Sequence, residues 1–195
     1  QEGSLTGNYT RPGPMPLDDG VEGELYSRMV EALRGASLSQ KEIQISVSDL
    51  GLSYNSQADR DDVMSAFERA GNDNPEYFYL ENSVWFYHSG GKISSVVIRF
   101  DTETYSQSDV DIFNERVEEL TAQADGMGAL EKALFFHDWL AVNVAYNWDV
   151  ANGREPDTDV HSAYSALVGG DAVCEGYCLA YKLLLDRTGV ECTAV

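Results

Sequence analysis

The apolar residues of this 195-residue chain follow two periods, and the changes between them mark its elements. From Val21 to Gly35, Leu25, Met29 and Leu33 recur every four residues, the stripe of an amphipathic helix. Ile43, Ile45 and Val47 then alternate with polar neighbours, the period of a half-buried strand. Asp59 is placed to cap a helix carrying Val63, Phe67 and Ala70, which ends in the turn-forming run Gly71-Asn72-Asp73-Asn74-Pro75. Tyr77 to Leu80, Val84 to Tyr87 and Ile93 to Phe100 are β-rich, and Ser89-Gly90-Gly91 predicts a hairpin between the last two. The alternating aromatics here are assigned to core and sheet face rather than to a binding surface.

Beyond Thr104 the helical period takes over. Ser108-Asp109-Val110-Asp111 resembles a capping box with Asp in place of the usual Glu or Gln, and Phe113, Val117, Leu120 and Ala124 continue one face. After Gly126-Met127-Gly128, a helix from Ala129 to Val144 is predicted to turn Leu130, Ala133, Leu134, His137, Leu140, Ala141 and Val144 to one side. Residues 149–159 are polar, contain Gly153 and Pro156, and read as a loop; Ser162 to Leu167 reads as a short helix ended by Gly169-Gly170. In the last helix Cys174, Tyr177, Cys178, Tyr181, Leu184 and Leu185 fall on one predicted face, which Glu175, Lys182, Asp186 and Arg187 mostly avoid. Gly189 is its stop, and Val190 to Val195 reads as the start of a strand. The predicted class is α+β, with a flexible tether over 1–20, a small helix and antiparallel-sheet lobe over 21–105, and a mainly helical domain over 106–195.

Charge narrows the partners. Asp and Glu total 33 against 13 Lys and Arg, a net charge of −20. Such a field repels DNA, RNA and anionic membrane surfaces, so nucleic acid is excluded as an expected partner. No run of about 18 apolar residues offers a membrane span. The chain begins at Gln1, and residues 1–20 hold four glycines and three prolines, so an exported protein whose signal has been removed is the expected context, placing it outside the cell or at its surface. Three cysteines leave at least one thiol free or paired between chains. Cys174 and Cys178 are one helical turn apart, where Cβ atoms sit about 5–6 Å from each other, too far for the roughly 3.8 Å of a disulfide. That spacing also suits two ligands of one metal, with His161 or Cys192 completing the set, but no second close ligand pair accompanies them. No metal and no cofactor are assigned.

The candidate chemistry is concentrated in Val173-Cys174-Glu175-Gly176-Tyr177, where a glycine-bearing loop turns into the last helix. A cysteine in a first helical turn lies near the positive end of the backbone dipole and beside amides without partners, which favour the nucleophilic thiolate. The alternative is a small residue packing the helix start. Gly176 costs about 1 kcal/mol in helix propensity, which points to close packing or ligand approach. Of the histidines, His137 lies on the predicted apolar face as a core histidine, His88 beside a turn is expected in solvent, and His161 is expected to make a structural hydrogen bond at the loop.

Two blocks, His161-Ser162-Ala163-Tyr164-Ser165-Ala166-Leu167-Val168 and Val173-Cys174-Glu175-Gly176-Tyr177-Cys178-Leu179-Ala180, resemble the bacterial transglutaminase-like superfamily. Lys132, His137, Asp138 and Leu140, with Val144-Ala145-Tyr146, resemble the preceding helix of such proteins; the similarity covers roughly 106–195. It implies the helical front half of a papain-like catalytic domain, with Cys174 as nucleophile and Tyr146 or Trp148 as a candidate oxyanion donor or pocket wall upstream of it. In that family a histidine activates the cysteine and an aspartate orients the histidine; both should lie beyond Val195. The resemblance therefore implies an exported cysteine enzyme acting on peptide or carboxamide bonds through an acyl-enzyme, more readily by hydrolysis than by crosslinking, and little activity in this chain by itself. Expected substrates are proteins or peptides, cell-wall peptides among them. The rival reading is a non-catalytic transglutaminase-like module that binds at a cell surface. A half-domain would also leave an apolar face open to self-association.

Overall fold

The computed structural model describes residues 20–155 and 159–192, together with the backbone of 2–6. The fold is α+β, and the chain divides into two compact units between Ser106 and Gln107.

In the first unit, helices α1 (Val21–Arg34) and α2 (Gln57–Asp73) accompany an antiparallel sheet of β2 (Glu42–Ser46), β3 (Leu80–Ser89) and β4 (Lys92–Phe100). Within the predicted tether, Glu2–Thr6 forms β1 and pairs with β3, giving the order β1-β3-β4-β2; residues 7–19 lie outside the described residues. Register aligns one apolar face across the strands: Ile43 and Val84 both oppose Ile98, and Ile45 and Phe86 both oppose Val96. The helix stripes Leu25, Met29, Leu33 and Val63, Phe67, Ala70 are buried as their spacing predicts. Gly90 and Gly91, at φ 57° and 81°, make the two-residue hairpin turn that the sequence signals.

Three expectations in this unit need correction. Tyr77, Phe78 and Tyr79 lie ahead of β3 in turns rather than in a strand, their rings packed edge to face (Tyr77–Tyr79 centroids 6.1 Å apart, Phe78–Tyr79 5.3 Å). The cap of α2 is Ser56, whose hydroxyl accepts from the Asp59 amide at 3.2 Å; Asp59 instead accepts from the Ser53 amide at 2.6 Å. His88 is half-buried and stacks on Tyr54, centroids 4.2 Å apart.

In the second unit, α3 (Gln107–Gln123) and α4 (Ala129–Asn143) are followed by β5 (Ala145–Tyr146) and the single turn α5 (Trp148–Ala151). A π-helical turn over Ser165–Gly169 leads through β6 (Asp171–Ala172) into α6 (Cys174–Arg187). Helix α6 packs against α3, α4 and the π turn, with Leu179, Ala180, Leu183, Leu184 and Leu185 buried. β5 and β6 pair in parallel, Ala145 opposite Asp171 and Tyr146 opposite Ala172. Polar clips bind α6 to its neighbours: Tyr181 Oη donates to the Ala133 carbonyl at 3.0 Å, and Lys132 Nζ donates to the Thr188 carbonyl at 2.7 Å, a cation at the negative end of the helix.

The C-terminus of α6 is a Schellman motif. Gly189 has φ 77°, its amide donates to the Asp186 carbonyl at 3.1 Å, and the Val190 amide donates to the Leu185 carbonyl at 2.9 Å. Gly189→Ala should cost about 1 kcal/mol, since a Cβ is disfavoured in this left-handed conformation; a melting temperature equal to wild type would contradict that. No strand forms over Val190 to Cys192, and 193–195 lie outside the described residues.

Candidate functional site

The site is built where β5, β6 and the first turn of α6 meet. The Val173 amide donates to the Val160 carbonyl at 2.9 Å, which joins the residue before the helix to the loop that precedes the π turn. Val173 is the N-cap in extended conformation, and no side chain caps this end. Cys174 is thus the first residue of α6, ahead of amides that have no helical partner by geometry.

Gly176 holds the loop against the helix. A Cβ added there would lie 2.9 Å from the Val160 carbonyl oxygen, 3.0 Å from the Ser162 carbonyl oxygen and 3.0 Å from the Ala172 Cβ. Gly176 is buried, so of its two expected roles the structure assigns close packing. The energetic reason for the glycine is steric: two backbone carbonyls occupy the space a side chain would need.

Which face of α6 is buried differs from the expectation. Cys174 and Cys178 are both exposed and Tyr177 and Tyr181 half-buried; Leu184 and Leu185 are buried as expected, and the rest of the inward face is Gly176, Leu179, Ala180 and Leu183. The helix is apolar around most of its circumference, so periodicity alone admits more than one stripe. Lys182, expected among the solvated positions, is 5% exposed and ion-paired with Asp186. The Cys174 sulfur therefore belongs to an open side of α6, not to its packed side.

Tyr146 and Trp148 come to the same end of the helix. Their ring centroids are 4.6 Å apart, and Tyr146 lies 6.1 Å from Tyr177, which follows Cys174 by three residues. Tyr177 Oη donates to the Val144 carbonyl, fixing the first turn of α6 to the entry of β5. Burial, and after it the charge of Asp171, pushes the Tyr177 phenol up from its ordinary value. Sequence reasoning missed Tyr177 as a member of this cluster, although its spacing from Cys174 carried the signal.

Among the described residues no histidine hydrogen-bonds the Cys174 sulfur. His161 Nδ1 lies 3.0 Å from Glu175 Oε2, a tie between the loop and the helix start of the kind expected for it. His137 is not in the core: it is exposed and lies 3.0 Å from Asp138 Oδ1, because the inward side of α4 is Phe136 and Leu140. Leu130, Leu134 and Ala141 of the expected apolar face are instead exposed, as is Val142 beside them. Cys192 is half-buried, and burial raises its thiol. Among the described residues no cluster of three or more His, Cys, Asp and Glu is placed to hold a metal, and no helix is long and apolar enough to cross a membrane. An open hollow in the first unit, about 410 Å³ and lined by Ser27, Arg28, Glu31, Ala32, Gln44 and Ile45, offers no comparable chemistry. Its Arg28 is committed to Asp49 at 2.8 and 2.6 Å and to Glu24 at 2.8 Å.

Comparison with protein-family models and with curated proteins found no match for this chain.

Proposed function

We propose that this chain carries the nucleophile of an exported, transglutaminase-like cysteine enzyme that cleaves peptide or carboxamide bonds through an acyl-enzyme at Cys174. The observation that carries this reading is the position of the thiol: exposed, at the uncapped N-terminus of α6, in a first turn pinned by Gly176 and Tyr177. Negative charge is favoured at that end of a helix.

In the proposed reaction the sulfur attacks the carbonyl carbon and a carbon–sulfur bond forms. The carbonyl oxygen takes the negative charge, stabilised by first-turn amides and by an aromatic donor such as Tyr146 or Trp148. The amine leaves with a proton returned by the general base, and water then cleaves the thioester. By the resemblance the base is a histidine oriented by an aspartate. The substrate class proposed is peptides, including those of a cell wall. The exposed Leu130, Leu134 and Val142 of α4 support self-association as a further proposal.

Alkylation by iodoacetamide near neutral pH tests the nucleophile, and Cys178 is the internal control. Both thiols are exposed on the same helix, but only Cys174 stands at its unpartnered amides. Cys174 is expected to react about tenfold faster or more, with Cys192 slower than either because it is half-buried. Equal rates at Cys174 and Cys178 would remove the enzyme reading. They would favour the second one, a non-catalytic surface-binding module.

A further inference from the structure

The aromatic residues at the head of α6 carry one step more, which deepens the reading above and rests on its placement of the site. Tyr146, Trp148 and Tyr177 make a continuous shelf, Tyr146 inclined at 51° to Trp148 and at 30° to Tyr177. Trp148 nevertheless keeps 67% of its surface exposed. An indole this open adds little to a core, yet its backbone is firmly held. Asn152 Nδ2 donates to the Trp148 carbonyl at 2.6 Å, and Asn147 Oδ1 accepts from the Val150 amide at 2.9 Å. The ring is presented to solvent on a fixed turn.

Carboxylates adjoin the shelf: Asp149 follows Trp148 directly in the chain, and Asp171 Oδ2 accepts from Nδ2 of Asn147, the residue between Tyr146 and Trp148, at 2.7 Å. Of the Lys and Arg residues, Arg154 alone falls between Ala145 and Cys178. Arg154 is itself 3.4 Å from Asp149. The charge of Asp171 reaches the shelf, where it contributes to raising the Tyr177 phenol. Aromatic faces attract cations through their quadrupole, and neighbouring carboxylates add a Coulomb term of the same sign. The Asn147 amide and Asn152 Nδ2 are already engaged within the chain and are not offered to a sugar.

We propose that the Tyr146–Trp148–Tyr177 shelf is a subsite for a cationic side chain, lysine or arginine, of the peptide that presents its amide to Cys174. The side chain is a recognition element of the acyl donor and not the attacking group. Its methylene stem covers the rings while its charged end answers the surrounding carboxylates.

Titration of the Cys174→Ser chain, which has no thiol at the site, tests this without turnover. The reporter is the Trp148 indole N–H resonance, assigned by its loss in Trp148→Phe. The probes are acetyl-Ala-Lys-Ala-amide, its norleucine and glutamate counterparts, and an N-acetylglucosamine oligomer. The lysine peptide is expected to shift the resonance to saturation and to bind at least about fivefold more tightly than the norleucine peptide. That preference should shrink between about 0.05 and 0.5 M salt and in Asp171→Asn, whose amide oxygen can still accept from Asn147. Equal binding of lysine and norleucine, preference for the sugar or the glutamate peptide, or no shift with any probe would overturn the proposal. The two readings fail separately. Lysine selection in a protein whose Cys174 forms no acyl adduct removes the nucleophile and leaves the subsite; an acyl adduct without lysine selection does the reverse.

Discussion

Cys174→Ala in the complete protein is expected to leave a folded and inert molecule. A nucleophile that forms the covalent intermediate has no substitute within reach of the same carbonyl, so release of p-nitrophenol from an activated ester, or cleavage of a peptide anilide, should fall by about 10⁴-fold or more. Stability should barely change, because the side chain is exposed and surface substitutions stay within about 0.5 kcal/mol. The pair of measurements matters. Lost turnover with an unchanged melting temperature assigns the chemistry to the sulfur, and lost turnover in an unfolded variant would assign nothing. Turnover that survives the substitution would show that another group attacks, since the neighbouring Cys178 faces solvent one turn further along and lacks the helix end.

Gly176→Ala should have the largest effect on stability. Two contributions oppose each other. Alanine gains about 1 kcal/mol over glycine in helix propensity. Against this, its Cβ would stand 2.9 Å and 3.0 Å from the Val160 and Ser162 carbonyl oxygens and 3.0 Å from the Ala172 Cβ. The first two obstacles are backbone and cannot swing aside as a flexible side chain would. Overpacking of this kind costs about 1–3 kcal/mol, and rigid neighbours place it at the upper end. The net loss expected is about 2 kcal/mol, or roughly 10 °C in melting temperature for a unit of this size. The loop would also move away from the first turn of α6, so the alkylation rate of Cys174 should approach that of Cys178. A variant as stable as wild type, or more stable, would mean that this close approach does not exist in solution.

Much of the architecture is readable from residue order, for reasons that are local. The stripes Leu25-Met29-Leu33 and Val63-Phe67-Ala70 each offer a single apolar side to the helical period, so burial follows spacing. Gly90-Gly91 provides positive φ where a two-residue hairpin needs it, and Gly189 does so at the end of α6. Cys174 at the start of a helix was legible because a glycine-bearing loop precedes a long apolar period. Tyr77 to Tyr79 misled because aromatic composition favours strands generally, while here the rings satisfy each other in turns.

Residue order by itself therefore determined the long helices, the β3–β4 hairpin, the α+β class and the helix-start cysteine, since each depends on backbone preference and spacing within about a dozen residues. Only the tertiary structure decided which sides of α4 and α6 turn inward, why position 176 must be glycine, and how Tyr146, Trp148 and Tyr177 come together. The physical reason is common to all three. A helix apolar around most of its surface offers several stripes to the solvent boundary, and the choice among them is made by contacts with chain segments distant in sequence, whose shape no local period encodes.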